Sequence, residues 1–521
     1  MSAKELFRAS KDANIETERV LVPAINGNSF TENQKINFEI PSNHKFVSLR
    51  ECNLVFDVEC PTNPDGVELP EAGAQRLIKS VKIMEKSTGR AIETINQYNV
   101  LATNQYHYSL TSGEKNSRSI TELAAPEPNN TNNQTLNNQF LQPYTSTPQS
   151  TAKKALKQRI VLKLWSKIFD NYGDDSVYPN IFAPLQIQVE LERNKRALKS
   201  IDLINPDTTS IAAGKACILE TTIAAGPVTS VIIENDAARG VDGVVNGMNG
   251  CPFQVGGSVR LSESGKASSD MTGTITAITF VGNKYILAVA GTAAATYTGG
   301  SAHVTATPTS LATSTYLVTN PAIEINVCNV PSEWEDQLIS LVSDNEFRYN
   351  FKAIDNVQVN QVSGNTNFVN YINSNSNSVS GCLVIPTDSE TADTIENDLI
   401  TGQYLALDNY NFHYNNSNNP SLPVPTQKLN NSKVSQQHLH ELMKCNENFW
   451  GTKNLVSFKD DFAVGRSFGV HNSAMTLTNK DLSVRFACIS GSSLTNNQMY
   501  NHYLVNNKVL VVNRDGVSFI Q

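Results

Sequence analysis

The sequence contains little charge and no long apolar run. Only 17% of its 521 residues are charged, and the acidic excess gives a net charge of −8. An acidic chain has no overall attraction for nucleic acid, so any contact with nucleic acid is expected to be indirect. No apolar stretch approaches the roughly 20 residues that a membrane-spanning helix needs. We therefore predict no membrane span.

Cysteine pairs with the spacing of metal or redox sites are also missing. The eight cysteines are scattered, and none forms a C-x-x-C motif. Cys52 and Cys60 are closest in sequence, but eight residues of strand would separate them by about 26 Å, and a disulfide needs Cα atoms within about 7 Å. We predict buried free thiols. Residues 1–8 lack the apolar core of a signal peptide, so synthesis in a reducing compartment is expected.

Motifs for metal, nucleotide or nucleophilic chemistry are absent as well. No H-E-x-x-H, G-x-S-x-G or phosphate-binding loop occurs. His438 and His440, with Cys445 nearby, come closest to a metal cluster. Side chains two positions apart on a helix point about 200° apart, so we predict two separate surface histidines. The sequence thus predicts no metal site and no cofactor.

Two acidic pairs are the remaining candidates for catalysis. Asp174 with Asp175, or Glu190 with Glu192, could form a glycosidase pair, since that chemistry needs carboxyl groups about 5–10 Å apart. Nothing in the sequence would raise the pKa of one acid, and solvent-facing carboxylates on strands are common. We predict no catalytic residue and no enzyme activity.

Two short basic clusters could touch phosphate groups. Without interleaved aromatic residues for stacking, they are predicted to be solvated edges or salt-bridge surfaces between subunits. The clusters are Lys153, Lys154, Lys157, Arg159, Lys163 and Lys167, then Arg193, Lys195, Arg196 and Lys199.

What the sequence does have is alternation of apolar and polar residues, repeated in both halves. A period of two predicts strands with one face in a core, as in antiparallel sandwiches. The predicted strands lie at residues 34–40, 46–60, 77–84, 159–164 and 185–192, then at 316–328, 378–385, 404–414 and 509–513.

The composition changes between residues 205 and 315. This block holds 14 of the 28 glycines and is rich in Ala, Thr, Ser and Val. It predicts short strands at 228–233, 258–261, 273–280 and 285–290, with a hairpin turn at Gly282-Asn283. We interpret it as a small β-barrel or sandwich inserted in a larger unit.

Few helices are predicted. Ser332 followed by Glu335 has the spacing of a capping box, which predicts a helix over 331–342 that joins the two halves. Further helices are predicted at 435–443 and, from apolar spacing, within 91–108. Residues 1–25 are predicted to be an arm that precedes the first strand, and the Asn-rich stretch 109–151 a long loop.

The order of these segments resembles the major capsid proteins of the double jelly-roll lineage of icosahedral DNA viruses, of the virophage and polinton-like type. The segments that carry the resemblance are 49–56, 74–83, 92–98 and 179–192, then 404–414 with the proline turn 420–425, and 507–516. The block 205–315 departs from the minimal pattern.

This resemblance implies an all-β fold: two tandem jelly-roll β-sandwiches with an inserted small β domain and a few short helices. The implied division is an arm at 1–25, a first jelly roll at 26–204 plus 316–330, an insert at 205–315, a linker helix at 331–345 and a second jelly roll at 346–521. The insert and the loop 109–151 are expected on the outer side of a shell, and the arm inside it or on a neighbour.

The implied function is that of a major capsid protein in the virion, made in the host cytoplasm or nucleus. Homotrimers would form pseudo-hexagonal capsomers that tile an icosahedral shell around a DNA genome. The implied partners are other copies of the chain, penton and minor cement proteins, and a host receptor contacted by the insert. Two alternatives stay open: a receptor- or carbohydrate-binding viral fibre or adhesin, and a β-sandwich hydrolase that uses an acid pair.

Overall fold

The computed structural model describes most of the chain, with gaps. The described residues are 16–62, 67–69, 72–124, 157–169, 177–200, 217–234, 258–266, 269–270, 275–281, 284–307, 315–344, 346–374, 376, 378–389, 399–400, 402–403, 407–415, 417–426, 435–451, 462–469, 476–477, 480–494, 496–513 and 516–520.

Strands dominate the first half. They are β1 (Glu16–Pro23), β2 (Ser29–Phe30), β3 (Lys35–Glu39), β4 (Val47–Thr62), β5 (Val67–Glu68), β6 (Ile78–Glu85), β7 (Ala91–Asn96), β8 (Gln158–Lys163), β9 (Val177–Tyr178), β10 (Leu185–Leu191) and β11 (Lys199–Ser200). After the insert the chain returns as β19 (Thr315–Asn329).

Eight of these strands form a sandwich with a defined connectivity. One sheet has the order β1-β19-β4-β8, and the other has the order β3-β10-β6-β7. Counted along the chain, the eight long strands therefore pair as 1-8-3-6 and 2-7-4-5. This is the strand order of a jelly roll, in which two four-stranded sheets enclose one core. We call it the first roll.

The second half repeats this connectivity. Its strands are β20 (Phe347–Gln361), β21 (Asn367–Ile372), β22 (Val379–Asp388), β23 (Leu407–Tyr414), β24 (Ser417–Pro425), β25 (Val464–Ser467), β26 (Leu482–Cys488), β27 (Gln498–Asn513) and β28 (Gly516–Ile520). The sheet orders β20-β27-β22-β25 and β21-β26-β23-β24 are again 1-8-3-6 and 2-7-4-5. We call this unit the second roll.

The two rolls share one sheet. β7 of the first roll pairs in parallel with β20 of the second, with Thr94 opposite Asp355. This pairing joins two four-stranded sheets edge to edge into a nine-stranded sheet that includes β28. The rolls are thus fused side by side.

In the described part of the chain, five α-helices lie in the connections between strands. They are α1 (Tyr98–Tyr108), α2 (Ser112–Thr121), α3 (Asn194–Ala197), α4 (Ser332–Asp344) and α5 (Gln436–Trp450), and a 3₁₀ turn covers Gly73–Leu77. α1 and α2 lie between the fifth and sixth strands of the first roll, and α5 has the same place in the second. α4 connects the rolls.

The glycine-rich block forms a sheet of its own. Its strands are β12 (Cys217–Leu219), β13 (Gly226–Glu234), β14 (Ser258–Ser262), β15 (Ser269–Asp270), β16 (Ile275–Val281), β17 (Lys284–Ala293) and β18 (His303–Thr307). They pair in the order β15-β14-β18-β12-β13-β17-β16 around a separate buried cluster that includes Val231 and Leu287. All four predicted strands are present, and β16 pairs with β17 as a hairpin. Gly282 and Asn283 lie outside the described residues.

Several local predictions are wrong. Residues 91–96 are a strand, and only 98–108 are helical, because Ile92 and Ile95 point into the core of a sandwich and do not form a helix face. Residues 16–23, expected to precede the first strand, are β1, paired along their length with β19.

Other segments also differ from expectation. The predicted loop 109–151 contains α2, which opens with a complete capping box between Thr111 and Glu114. The predicted proline turn at 420–425 is part of β24, paired with β23. The linker helix forms as α4, but Ser332 is its first residue and not the residue that precedes it. Glu335 forms an ion pair with Lys45.

Candidate interaction faces

The sheet β1-β19-β4-β8 has a face that points away from its own core. Residues directly opposite in an antiparallel pair share a face. Val161 lies opposite Val55, Val55 opposite Ala322, and Ala322 opposite Pro23. Leu21, two residues from Pro23 and opposite Glu324, lies on the same face. It is 50% exposed and Val161 is 38% exposed, whereas Val55 and Ala322 are buried. These five residues define the N face.

A charged cluster borders the apolar row on one side. The Asp57 carboxylate lies 3.0 Å from Arg159 and 3.8 Å from the Lys157 ammonium, and it accepts a hydrogen bond of 3.1 Å from Asn320. Partial burial works against the charged form, but the hydrogen bonds from Asn320 and Arg159 outweigh it and lower the pKa of Asp57. Asp57 is therefore charged at neutral pH.

A second charged group borders the row on the other side. Glu324 lies 3.6 Å from Arg19 and accepts a hydrogen bond of 3.2 Å from Asn53. Exposed ion pairs of this kind contribute little to stability. The N face is thus an apolar strip between two polar borders, which is the usual layout of a protein–protein interface.

The second roll presents a comparable outward face on its sheet β21-β26-β23-β24. Val369 lies opposite Arg485, while Tyr371 lies opposite Ser483, which lies opposite His413. Tyr371 is 64% exposed. Burial, followed by the neighbouring charge of Arg485, lowers the pKa of His413. These five residues define the C face.

The side of the second roll that adjoins the first roll packs against it through aromatic contacts. The rings of Trp165 and Trp450 meet edge to face at 6.1 Å, and those of Tyr178 and Tyr349 at 5.6 Å. The Tyr503 hydroxyl donates a 2.7 Å hydrogen bond to a backbone carbonyl of the first roll. This closed region is called the junction below.

A buried polar network crosses the junction. The Glu93 carboxylate accepts hydrogen bonds from the Ile354 amide at 2.7 Å and from the Ser166 hydroxyl. Burial raises the pKa of Glu93. Beside it, the Lys508 ammonium is 3.0 Å from Asp355. Glu93 lies on β7 of the first roll and Ile354 on β20 of the second, so the hydrogen bond between them crosses the junction and helps to fix how the two rolls meet.

The structure separates the two histidines of the candidate metal cluster. His440 is exposed on α5, but His438 is buried, so the prediction of two surface histidines is wrong for His438. Its ring stacks on Phe462 at 5.4 Å and meets Tyr410 edge to face at 5.6 Å. Burial lowers the pKa of His438 to about 4. Among the described residues, no group of His, Cys, Asp and Glu could hold a metal ion.

Sequence reasoning missed a second buried histidine, His502 on β27. Its Nδ1 donates to the Val357 carbonyl at 3.2 Å, and its Nε2 accepts from the Asn370 amide at 3.3 Å. Gln361 donates to the Asn370 carbonyl oxygen at 2.8 Å and so orients that amide. Burial lowers the pKa of His502 to about 4. A polar residue in a strand suggests an outward position, so no feature of the sequence indicates that His502 is buried.

In the structure, Glu190 and Glu192 contact different partners. Glu190 forms an ion pair with Lys79 at 2.6 Å. Glu192, just beyond β10, is buried and accepts from Asn99 at 2.8 Å, so the expectation of solvent exposure is wrong there. Asp174 and Asp175 lie outside the described residues.

Part of the first basic cluster forms ion pairs within the chain. Lys157 and Arg159 both pair with Asp57. Lys167 is buried, which the prediction of a solvated edge did not anticipate, and Arg196 donates to the Leu399 carbonyl at 3.3 Å. Lys153 and Lys154 lie outside the described residues.

Five of the cysteines are buried and form no disulfide, as predicted, whereas Cys488 is half-buried. Cys52 and Cys60 lie on the continuous strand β4.

No helix of the described ranges has the length and hydropathy to cross a bilayer.

No protein-family model matches the chain, and no curated protein matches it either. Solved structures do match. The Faustovirus major capsid protein aligns with a TM-score of 0.51 at 11% identity, over 96% of this chain and 91% of that one. The chain is a double jelly roll. The fold class predicted from sequence, two tandem jelly rolls with an inserted β domain and short helices, is therefore confirmed.

Two further solved structures align with lower TM-scores. PBCV-1 VP54, fitted into a reconstruction of the virophage Sputnik, aligns over 98% of this chain and 97% of its own at 10% identity, with a TM-score of 0.49. The mavirus major capsid protein aligns over 96% and 89% at 10% identity, with a TM-score of 0.40.

Proposed function

We propose that this double jelly roll is a major capsid protein of the virion, and that three copies form a pseudo-hexagonal capsomer of an icosahedral shell around a DNA genome. The observation that carries the proposal is the repeat of one strand order in two rolls fused side by side. Three such chains supply six similar units, and a closed three-fold ring of them approximates a hexagon. The fold likeness to the Faustovirus major capsid protein supports the same function.

The two ends of the first roll carry different segments, which supports the assignment of one end to the outer side of the shell and of the other end to the inner side. Successive strands reverse direction, so connections 5–6 and 7–8 leave the same end of the roll. The insert occupies connection 7–8, and the segment 109–151 occupies connection 5–6. We place both on the outer side of the shell.

The opposite end of the roll carries the segments that would face inward. β1 starts there, and β19 ends there and leads into α4. The Lys45–Glu335 ion pair supports this position, since it ties the connection between the second and third strands to α4. The part of the 1–25 arm that precedes β1 would therefore face the interior or clasp a neighbour.

The proposed domain division follows the strand order. Residues 26–204 with 316–330 form the first roll, to which β1 also belongs, and 346–521 form the second, with 331–345 as linker. The insert 205–315 has its own buried cluster, which supports its assignment as a separate outer domain and a candidate receptor contact. Penton and cement proteins would complete the shell, and no catalytic role is proposed.

Particle shape and mass test the proposal. Purified protein should have three times the chain mass by light scattering, and negative-stain images should show a three-fold particle with a six-sided outline. A monomer would contradict the proposal, and a slender particle would favour the fibre or adhesin alternative. A variant that lacks residues 205–315 should still form the trimer, because the strands described within the insert, β12 to β18, pair only with one another.

A further inference from the structure

The junction contains a buried acid that has no counter-ion of its own. The Glu93 side chain is 1% exposed and lies on β7, the strand that pairs with the second roll. Lys508 acts on it electrostatically, but the Lys508 ammonium is 3.0 Å from Asp355 and also donates to the Ile92 carbonyl at 3.1 Å. Lys508 and Asp355 form an ion pair with each other. An ionised Glu93 would therefore have no ion-pair partner among the described residues.

The hydrogen-bond partners of Glu93 suit a neutral carboxylic acid as well as a carboxylate. Its Oε1 atom accepts from the Ile354 amide at 2.7 Å and from the Lys167 amide at 3.1 Å, and the carbonyl oxygen of a neutral acid accepts in the same way. Its Oε2 atom contacts the Ser166 hydroxyl. A hydroxyl group can accept as well as donate, so the proton in this contact can belong to either oxygen.

The energetic comparison favours the neutral acid. A neutral Glu93 that donates to Ser166 leaves the Ser166 hydroxyl proton without an acceptor among the described residues. An ionised Glu93 accepts that proton but buries a charge without an ion-pair partner, and such a charge costs more than one unpaired hydroxyl group. Burial accordingly raises the pKa of Glu93, although its hydrogen bonds and Lys508 act in the opposite direction.

We propose that Glu93 is a proton-controlled latch between the two rolls: at neutral pH it is a neutral acid that donates to Ser166, and its ionisation loosens the junction. On ionisation the proton passes to the solvent, and the new carboxylate regains hydration only when the junction opens. A raised folded-state pKa contributes stability that is complete below the unfolded-state pKa and is lost as the pH rises through the folded-state pKa. The latch belongs to the single chain and does not depend on the proposed capsid function.

The position of Glu93 directs this effect to the contacts between the rolls. The hydrogen bond to Ile354 lies next to the pairing of β7 with β20, where Thr94 is opposite Asp355. Ser166 follows Trp165, whose ring meets Trp450 of the second roll at 6.1 Å. Water that hydrates the carboxylate would therefore enter between two strands and a tryptophan pair that join the rolls.

The other titratable groups around Glu93 come from each element that packs against it. Burial raises the pKa of the Tyr98 hydroxyl on α1 well above its usual range, so Tyr98 stays neutral when Glu93 ionises. The remaining groups are Asp355 on β20, Lys508 on β27 and Lys167 after β8. The pair of Asp355 and Lys508 keeps its charges between neutral and moderately alkaline pH.

Infrared spectroscopy tests whether Glu93 is neutral. A protonated carboxylic acid has a carbonyl band separate from the bands of carboxylates, and the parent should show this band at about pH 7. Glu93→Gln should weaken the band, and any remainder comes from other buried acids such as Glu122, whose pKa is also raised by burial. Glu190→Gln removes an acid that is paired with Lys79 and is the matched control, so it should leave the band unchanged. A band that Glu93→Gln leaves intact would overturn the proposal.

Tryptophan emission tests whether ionisation loosens the junction. Trp165 and Trp450 are each 6% exposed, and Trp334→Phe removes the signal of the third tryptophan. In this background, the emission should shift to longer wavelength between about pH 7 and about pH 10. Glu93→Gln keeps the contacts of the neutral acid, since its amide donates to Ser166 and its carbonyl accepts from both backbone amides. It should therefore show no shift, and equal shifts with and without this substitution would refute the latch.

The titration of the Trp334→Phe background decides the case even if Glu93→Gln does not fold. The acid band and the tryptophan emission should change over the same pH range. If the band disappears without a shift in emission, Glu93 ionises without loosening the rolls. If the emission shifts while the band persists, another group opens the junction. Either result contradicts the latch.

Discussion

The third strand of each roll has the same place in the fold but a different environment. Along Cys52–Cys60 of β4 in the first roll, the outward residues Asn53, Asp57 and Glu59 are half-buried, and the other residues are buried. β22 of the second roll is buried at all ten positions. Helix α5 accounts for the difference, because the Cys445 thiol donates to the Cys382 carbonyl at 3.2 Å and thus sits directly on β22.

The approach of α5 to this sheet is close. A methyl group at Gly465, on the neighbouring strand β25, would lie 2.7 Å from the Cys445 Cβ. Only a residue without a side chain leaves room for the helix there. The alternation of a strand therefore reports which of its faces are covered, and not its place in the topology.

The largest expected effect comes from opening the junction. Trp450→Ala removes a ring that is 94% buried against Trp165, and we expect a loss of about 3–5 kcal/mol in the free energy of unfolding. Urea unfolding of the variant and of the parent measures this loss. Ile339→Ala, at an exposed position of α4, should change stability by less than about 0.5 kcal/mol. Equal costs for both variants would mean that the aromatic contact does not hold the rolls together.

Acid should weaken the second roll more than the first. The pKa of His438 and of His502 falls from 6.5 to about 4 on folding. A lowered folded-state pKa contributes stability that is complete above pH 6.5 and is lost as pH falls towards 4. Each histidine accounts for up to about 3 kcal/mol.

The raised pKa of Glu93 makes the folded state more stable as the pH falls, which opposes the effect of the histidines. The pH dependence of a histidine variant therefore has to be compared with that of the parent. His502→Asn keeps a donor for the Val357 carbonyl but cannot be protonated. Its stability should fall less than that of the parent between pH 6.5 and 4 in urea unfolding. His440→Asn, at an exposed position on α5, is the control and should follow the parent. Parallel pH profiles for parent and His502→Asn would contradict the assignment.

A smaller effect compares a buried acid of the junction with a partly exposed acid. Glu93→Leu has a similar size but accepts no hydrogen bond, so the buried Ile354 amide loses its acceptor, at a cost of about 1–3 kcal/mol. Glu190→Gln breaks a partly exposed ion pair with Lys79 and should cost less than about 1 kcal/mol. Chemical unfolding of the two variants side by side gives the comparison. A larger cost for Glu190→Gln would show that the network does not fix the junction.

Sequence patterns recovered the fold where one face of a strand is buried. The alternation in β10 and β19 predicted both strands nearly to their ends, and the composition of the insert predicted its separate sheet. They failed where a polar residue is buried through a tertiary contact, as at His438 and His502, since no local pattern encodes the helix or strand that covers it. The N and C faces were also beyond reach, because they arise from the register of four strands that are far apart in the chain.

The smallest expected effect lies in the segment that the polar composition mislabelled as a loop. The Thr111 hydroxyl accepts from the Glu114 amide at 3.3 Å, and the Glu114 carboxylate accepts from the Thr111 amide at 2.8 Å, so two otherwise unpaired donors at the start of α2 are satisfied. Thr111→Ala should cost about 1 kcal/mol. Ser117→Ala, in the middle of the same helix and exposed, is the control and should leave stability nearly unchanged. Hydrogen exchange of the α2 amides gives the sharper measurement, because the loss should be confined to this helix. If exchange in the rolls accelerated equally, α2 would be a cooperative part of the first roll and not a locally capped addition to it.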